Sequence, residues 1–184
     1  MPAPVLFYYE LDNFYQNHRR YVASFFDKQL KGEAVNAGQV NSSGCAPLAW
    51  DGEVKKPIYP CGLIANSMFN DTFTNPVMLN LPGESGANAT YKMDSKSGIA
   101  WASDANLYGN NSNKLDEITP PPYWARRYPN GYTQTNPPPN LAEWQAFQVW
   151  MRTAGLPKFS KLYQRNDVDP LKRGDYVVDI HYSE

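Results

Sequence analysis

VLFYYEL (residues 5–11) is a dense apolar and aromatic run near the start of the chain, and DYVVDIHY (residues 175–182) is its counterpart near the end. The first has the profile of a buried strand. The second places Tyr176, Val178, Ile180 and Tyr182 on one face and reads as a closing strand, with Lys172-Arg173-Gly174 supplying the turn before it. Between them the period changes. Phe14, Tyr15, Tyr21, Val22, Phe25, Phe26 and Leu30 fall at helical intervals; Asn13 is placed to cap, Gln16 follows three residues on, and Gly32 is a stop. A helix is therefore expected within 14–30.

Residues 33–60 carry Gly, Asn, Ser and Pro with few apolar positions and read as a long loop. Residues 63–69 fit a helical turn or a buried strand equally. A weak alternation over 72–81 suggests an edge strand interrupted at Pro76, and 99–102 a short strand around Trp101. The proline triplets at 120–122 and 137–139 bracket 123–136 as a surface excursion. Asn140 then caps the best helix, with Glu143 three residues on. Its apolar face is Leu141, Trp144, Phe147, Trp150 and Met151, and Gly155 and Pro157 end it.

The 184 residues suffice for one domain, 1–184, with a proper core. Sixteen Pro and twelve Gly argue against a helical bundle, because Pro costs about 3 kcal/mol in a helix interior. Aromatic residues reach 14%, which favours β-structure or an aromatic-rich interface. The net charge of −1, from 17 basic and 18 acidic residues, gives no cationic field for nucleic acid or an anionic membrane surface. No stretch approaches the ~20 apolar residues of a membrane span, and residues 1–20 lack the pattern of a secretion signal.

Two features speak about compartment. Cys45 and Cys61 are the only cysteines and, with His18 and His181 far away in sequence, do not make a four-ligand zinc site. A disulfide between them is one reading and two free thiols the other. The sequon Asn-x-Ser/Thr occurs at Asn41, Asn70, Asn88 and Asn110, where 17 Asn among 184 residues, 18 of them Ser or Thr, predict about two by chance. Together these favour an oxidising, luminal or extracellular setting.

No catalytic set emerges. Gly83-Glu84-Ser85-Gly86 comes nearest to a nucleophile elbow, but its second Gly is one position early. The stretch from Asp104 through Asn106 to Gly109 opens like a calcium loop, yet Tyr108 stands at position five and Leu115 where a bidentate Glu is needed. His18-Arg19-Arg20 could grip a phosphate headgroup or an acidic loop, although such arginines more often satisfy buried carbonyls or carboxylates. Arg173-Gly174-Asp175 matches a tripeptide read by adhesion receptors but also suits a hairpin turn, and His181 reads as a solvated face residue. From the residues alone the chain is a glycosylated, aromatic-rich binding or scaffolding domain with no cofactor and no metal.

Three blocks carry a resemblance: FYYELDNFYQNHRRYV (7–22), PCGLIANSMFNDTF (60–73) and VWMRTAGLP (149–157), continued by KLY at 161–163. In content and order they resemble the ectodomain of the cell division control protein 50 family, which includes ligand-effect modulator 3. Members of that family are non-catalytic β-subunits of type IV P-type ATPases, the phospholipid flippases. The resemblance implies a mainly β fold, an antiparallel, jelly-roll-like β-sandwich decorated with a few short α-helices and long loops. It also implies a disulfide at Cys45–Cys61 and a glycan at Asn70, while Asn41, Asn88 and Asn110 lie outside the matching blocks.

The implied partner is a type IV P-type ATPase catalytic subunit, as a heterodimer in the full-length protein, in the membranes of the secretory pathway from endoplasmic reticulum to Golgi, endosome or plasma membrane. Family members also carry two transmembrane helices, cytosolic tails and further cysteines before the first block. None of these occurs between Met1 and Glu184, so the chain is expected to be an ectodomain excised from a longer protein. Two readings from other classes stand beside this one. A lectin-like carbohydrate-binding β-sandwich would stack sugars on exposed aromatics, and a secreted hydrolase would bring two carboxylates to one deep cleft.

Overall fold

The structure, a computed structural model, describes residues 1–80 and 87–183. Gly83-Glu84-Ser85-Gly86, and Leu81 at the end of the strand expected over 72–81, lie outside the described residues. Strand β1 (Val5–Leu11) is followed by two single-turn helices, α1 (Arg19–Val22) and α2 (Asp27–Leu30). The helix expected over 14–30 is broken between them because Ser24 serves distant backbone instead. Its hydroxyl donates to Cys45 O and accepts from Leu63 N at 2.8 Å.

Helix α3 (Ala37–Asn41) interrupts the expected loop, held by a capping box in which Asn36 Oδ1 accepts from Gln39 N and Gln39 Oε1 from Asn36 N. A hairpin of β2 (Trp50–Asp51) and β3 (Lys56–Pro57) follows, then α4 (Leu63–Asn66), which settles 63–69 as a helical turn. The single strand expected from 72 becomes β4 (Thr72–Phe73) and β5 (Val77–Met78), separated by the buried Pro76, and β6 (Ala89–Thr90) comes next. The short strand around Trp101 does not form. Ile99 N and Ala100 N both donate to the side-chain oxygen of Gln145, and a 3₁₀ turn starts at Ala102.

Helix α5 (Gln145–Met151) begins later than expected, because Asn140 caps a preceding turn through Ala142 N. Strand β7 (Phe159–Asn166), eight residues long, was not anticipated, since its buried side chains are Lys161 and Gln164. The closing strand is two short pieces, β8 (Tyr176–Val177) and β9 (Ile180–His181), with Val177 and Ile180 exposed.

All the described sheets pair antiparallel. β1 pairs with β7 from Val5↔Asn166 to Leu11↔Phe159, with a register shift between Phe7 and Tyr8; β2 pairs with β3, β4 with β9, and β5 lies between β6 and β8. β1 is buried on one face only: Val5 and Tyr9 point inward while Leu6 and Tyr8 are exposed. The mainly antiparallel character with short helices and long loops is present, in sheets of two or three strands.

The core is aromatic. Tyr9, Tyr59, Phe147 and Trp150 pack with Trp124, Tyr128 and Tyr132, and the last three overturn the expectation of a surface excursion over 123–136. The proline triplets there turn the chain inward, and aromatic residues four apart fill the space. A second cluster, Val35, Val40, Ala49 and Ile58, surrounds the Cys45–Cys61 disulfide, whose Cα atoms are 5.6 Å apart. Gln29 joins the clusters: its amide donates to Ile58 O at 3.0 Å and its oxygen accepts from Cys61 N at 2.9 Å. Gly62 takes φ +102° beside it, and a Cβ there would lie 2.0 Å from Ser24 O. Only glycine permits that approach.

Two stability outcomes follow, both measurable by urea unfolding. Tyr59 Oη is buried without a partner among the described residues, whereas Tyr132 Oη donates to Tyr59 O at 2.6 Å. Tyr59→Phe is therefore expected to be neutral or stabilising by up to about 1 kcal/mol, and Tyr132→Phe to cost about 1–3 kcal/mol. Removing the disulfide through Cys45→Ala with Cys61→Ala should cost roughly 3 kcal/mol in the chain-entropy account.

Candidate functional site

Short helices leave most of their terminal carbonyls without intrahelical partners. In α4 two tryptophans from distant segments fill the gap. Trp124 Nε1 donates to Ala65 O at 3.0 Å and Trp150 Nε1 to Ile64 O at 2.7 Å. Asn66 Oδ1 in turn accepts from Tyr123 N at 3.0 Å. These bonds hold the 122–127 turn and the last turn of α5 against α4.

Between those segments lies a cleft of about 1240 Å³. Phe69, Trp124 and Trp144 supply its aromatic lining, Asp71 and Glu143 its carboxylates, and Lys96, Arg126 and Arg127 its cations. Arg127 is itself engaged, with its guanidinium carbon 5.0 Å from the Trp144 ring centre and 5.5 Å from that of Tyr128. Asp71 Oδ1 accepts from Ser183 N at 2.9 Å, so this carboxylate serves the chain's own C-terminal strand. Nothing in sequence order announces this site, because its walls come from seven separated stretches, from Leu11 and Phe14 to Ser183.

All four sequon asparagines are exposed. Asn41 ends α3, but Ser43, the hydroxyl residue of its sequon, donates to Val40 O at 2.6 Å and accepts from Cys45 N at 3.2 Å. Asn88 precedes β6 and Asn110 lies beside α2's end, near Gly32. Asn70 alone among them lines the cleft, with Nδ2 donating to Ser183 O at 3.3 Å.

The remaining candidates resolve individually. Asp104 accepts from Nη2 of Arg152 at 3.0 Å and from Nε as well, so the start of the supposed calcium loop is an ion pair. The Arg152 guanidinium holds the Asp104 carboxyl below its ordinary value and is itself raised by it, and it lies 3.6 Å beneath the exposed Trp101 ring. Lys161 donates to the carbonyls of Val149, Trp150 and Arg152, closing the C-terminus of α5 from β7. Burial and the nearby Arg152 charge push its ammonium down to about 8.

His18 caps α1 by accepting from Arg20 N at 3.4 Å, whereas Arg19 and Arg20 are exposed and engage no carboxylate among the described residues. They do not satisfy buried groups. His181 sits exposed on β9 opposite Thr72, and Arg173 and Asp175 are exposed ahead of β8. No group of three or more His, Cys, Asp or Glu that could hold a metal ion occurs among the described residues, and no helix there is long and apolar enough to cross a membrane.

Residues 1–183 match the family model described as LEM3 (ligand-effect modulator 3) family / CDC50 family. The chain is 50% identical over 177 residues to the phospholipid-transporting ATPase accessory subunit CDC50 of Chaetomium thermophilum, covering 96% of this chain and 43% of that protein. It is 43% identical over 175 residues to the phospholipid-transporting ATPase accessory subunit LEM3 of Saccharomyces cerevisiae, covering 94% and 41%. It is 39% identical over 195 residues to cell cycle control protein 50B of Homo sapiens, covering 98% and 53%. The chain thus spans about half the length of these curated relatives. The first two of these relatives are named as accessory subunits of phospholipid-transporting ATPases.

The two titrating groups near Arg152 give opposite pH signatures. The lowered Asp104 contributes stability that is present above the unfolded carboxylate value of 3.8 and is lost as pH falls through its folded value. Asp104→Asn should therefore destabilise by about 1–3 kcal/mol near pH 7, with the difference from the unsubstituted chain shrinking as pH falls below the unfolded value of 3.8. Lys161 carries a cost below about 8 that is relieved as pH rises towards the free lysine value of 10.5. Lys161→Met should abolish that alkaline rise while lowering stability at neutral pH, both readable from urea midpoints across the pH range.

Proposed function

Because the chain belongs to the LEM3/CDC50 family, we propose that it forms the extracytosolic domain of a non-catalytic accessory subunit of a type IV P-type ATPase that translocates phospholipids. The observation that carries this is 50% identity across 96% of the chain to a protein named as such an accessory subunit. In this reading the full-length protein pairs with the catalytic subunit as a heterodimer. It assists the partner's folding, its exit from the endoplasmic reticulum and its passage through the transport cycle. Hydrolysis and lipid movement belong to the partner.

Several features support the luminal or extracellular placement. The disulfide suits an oxidising compartment, and four exposed sequon asparagines suit the secretory pathway. Asn70 is the first choice for a glycan, with Asn41, Asn88 and Asn110 behind it. Residues 1–184 act as a single domain, attached to the membrane by helices outside them. The antiparallel pairing of every described sheet supports a jelly-roll-like β-sandwich as its architecture. The partner's extracytosolic loops would dock on exposed aromatic and arginine side chains, the types enriched at protein interfaces.

Deleting the full-length protein from its own cells tests the assignment. The partner ATPase is expected to remain in the endoplasmic reticulum, and uptake of fluorescent phospholipid at the cell surface to fall to background. Normal ATPase exit with unchanged lipid uptake would overturn it.

A further inference from the structure

Asn70 Nδ2 donates to Ser183 O at 3.3 Å, and Ser183 Oγ donates to Asn70 O at 3.0 Å, so the sequon is tied to a residue two positions past the end of β9 at the rim of the cleft. A side-chain amide carries two protons. Attachment of a sugar to Nδ2 replaces one and leaves the other for Ser183 O, so a glycan here starts at the cleft without undoing the contact that places it.

The cleft has the chemistry to receive what starts there. Tyr123, 75% exposed at the cleft's edge, offers an aromatic face to the C–H side of a pyranose ring, and Trp144 stands half-buried in the wall, stacked on Phe147 and under the Arg127 guanidinium. Glu143, Asn140 and Gln145 supply planar polar groups for hydroxyl and acetamide partners. At about 1240 Å³ the space exceeds the ~300–1000 Å³ that takes a drug-sized ligand. Sugar–aromatic contacts are weak for a free ligand. A covalent tether raises the effective concentration to the millimolar range, where weak contacts suffice. Asn41, Asn88 and Asn110 do not line this cleft.

We propose that the glycan on Asn70 folds back into this cleft, with its first N-acetylglucosamine residues against Tyr123 and Trp144, and covers the aromatic lining. The proposal rests on the glycosylation of Asn70 given above and adds where that glycan lies. A seated glycan shields Phe69, Trp124 and Trp144 from solvent, so it acts as a lid made of sugar.

Full-length protein from a eukaryotic host, purified free of other chains by gel filtration, supplies the test. Glycopeptide mass spectrometry first reads occupancy at Asn70. Native digestion with peptide N-glycosidase should then release this glycan at least tenfold more slowly than digestion after denaturation. Tyr123→Ala should bring the native rate close to the denatured one, with occupancy and melting temperature unchanged. Trp144→Phe, which keeps an aromatic filling in the wall, should give partial protection. An unoccupied Asn70 would end both the glycosylation reading and this one. An occupied Asn70 whose native release is fast, or whose protection survives Tyr123→Ala, overturns the seated glycan alone.

Discussion

The fold depends on how its backbone carbonyls are satisfied. With α1, α2 and α4 four residues long, α3 five and α5 seven, little of the chain can pair within its own helices, and most of its strands are only two residues long. Each buried carbonyl left alone would cost on the order of 1–3 kcal/mol. Long side chains from elsewhere take over. Trp124 and Trp150 close α4, Lys161 closes α5, and Gln148 Nε2 donates to Leu141 O at 2.9 Å and Ala142 O at 3.1 Å. Gln16, fully buried, holds Ala154 N at 2.9 Å through its side-chain oxygen. These residues act as tertiary caps, and the aromatic content of the chain has a hydrogen-bonding purpose as well as an apolar one.

The disulfide works within the same scheme. It fixes Cys61 beside Gly62, and Gly62 passes so closely against Ser24 and Phe25 that a Cβ would not fit between the two backbones. Gln29 and Ser24 then reach across with side-chain bonds to Ile58, Cys61 and Leu63. α4 is thus anchored at its start by the disulfide side and at its end by the two indoles. One side of the cleft is referred to α4, because Trp124, Tyr123 and Trp150 are positioned by its carbonyls and by Asn66.

How much of this was legible in the sequence depends on whether the signal was apolar and local. β1 and α5 were visible because Tyr9, Phe147 and Trp150 mark their buried faces. β7 was not, because hydrophobic period counts Lys161 and Gln164 as outward residues, and only their caps explain why they are inside. The inward turn of 123–136 was hidden by its prolines, although Trp124, Tyr128 and Tyr132 recur every fourth residue. α3 had its capping box in plain view at Asn36 and Gln39, within a stretch dismissed for its glycines. Of the site, Cys45, Cys61 and the four sequons are pairwise or local features and could be read directly. The cleft could not, since 66–72, 123–127, 140–146 and Ser183 meet only through long-range bonds.

A domain with the role proposed for this one, meeting a large partner in the membrane, has two requirements that pull apart. It must fold before the partner is present, yet it must leave irregular surface free for docking. Regular sheets and long helices satisfy the first by pairing backbone with backbone, which fixes the surface pattern. Here the core satisfies the backbone with its own side chains, so the surface loops can keep irregular paths without leaving buried groups unpaired. Low charge fits the same division: 19% charged residues leave few ions to desolvate, and Arg19 and Arg20 are exposed and meet no carboxylate among the described residues. A domain of this kind gains its rigidity from Trp, Tyr, Gln and Lys side chains bonded inward. Changes to those inward residues would alter the shape offered to a partner even where they touch none of it.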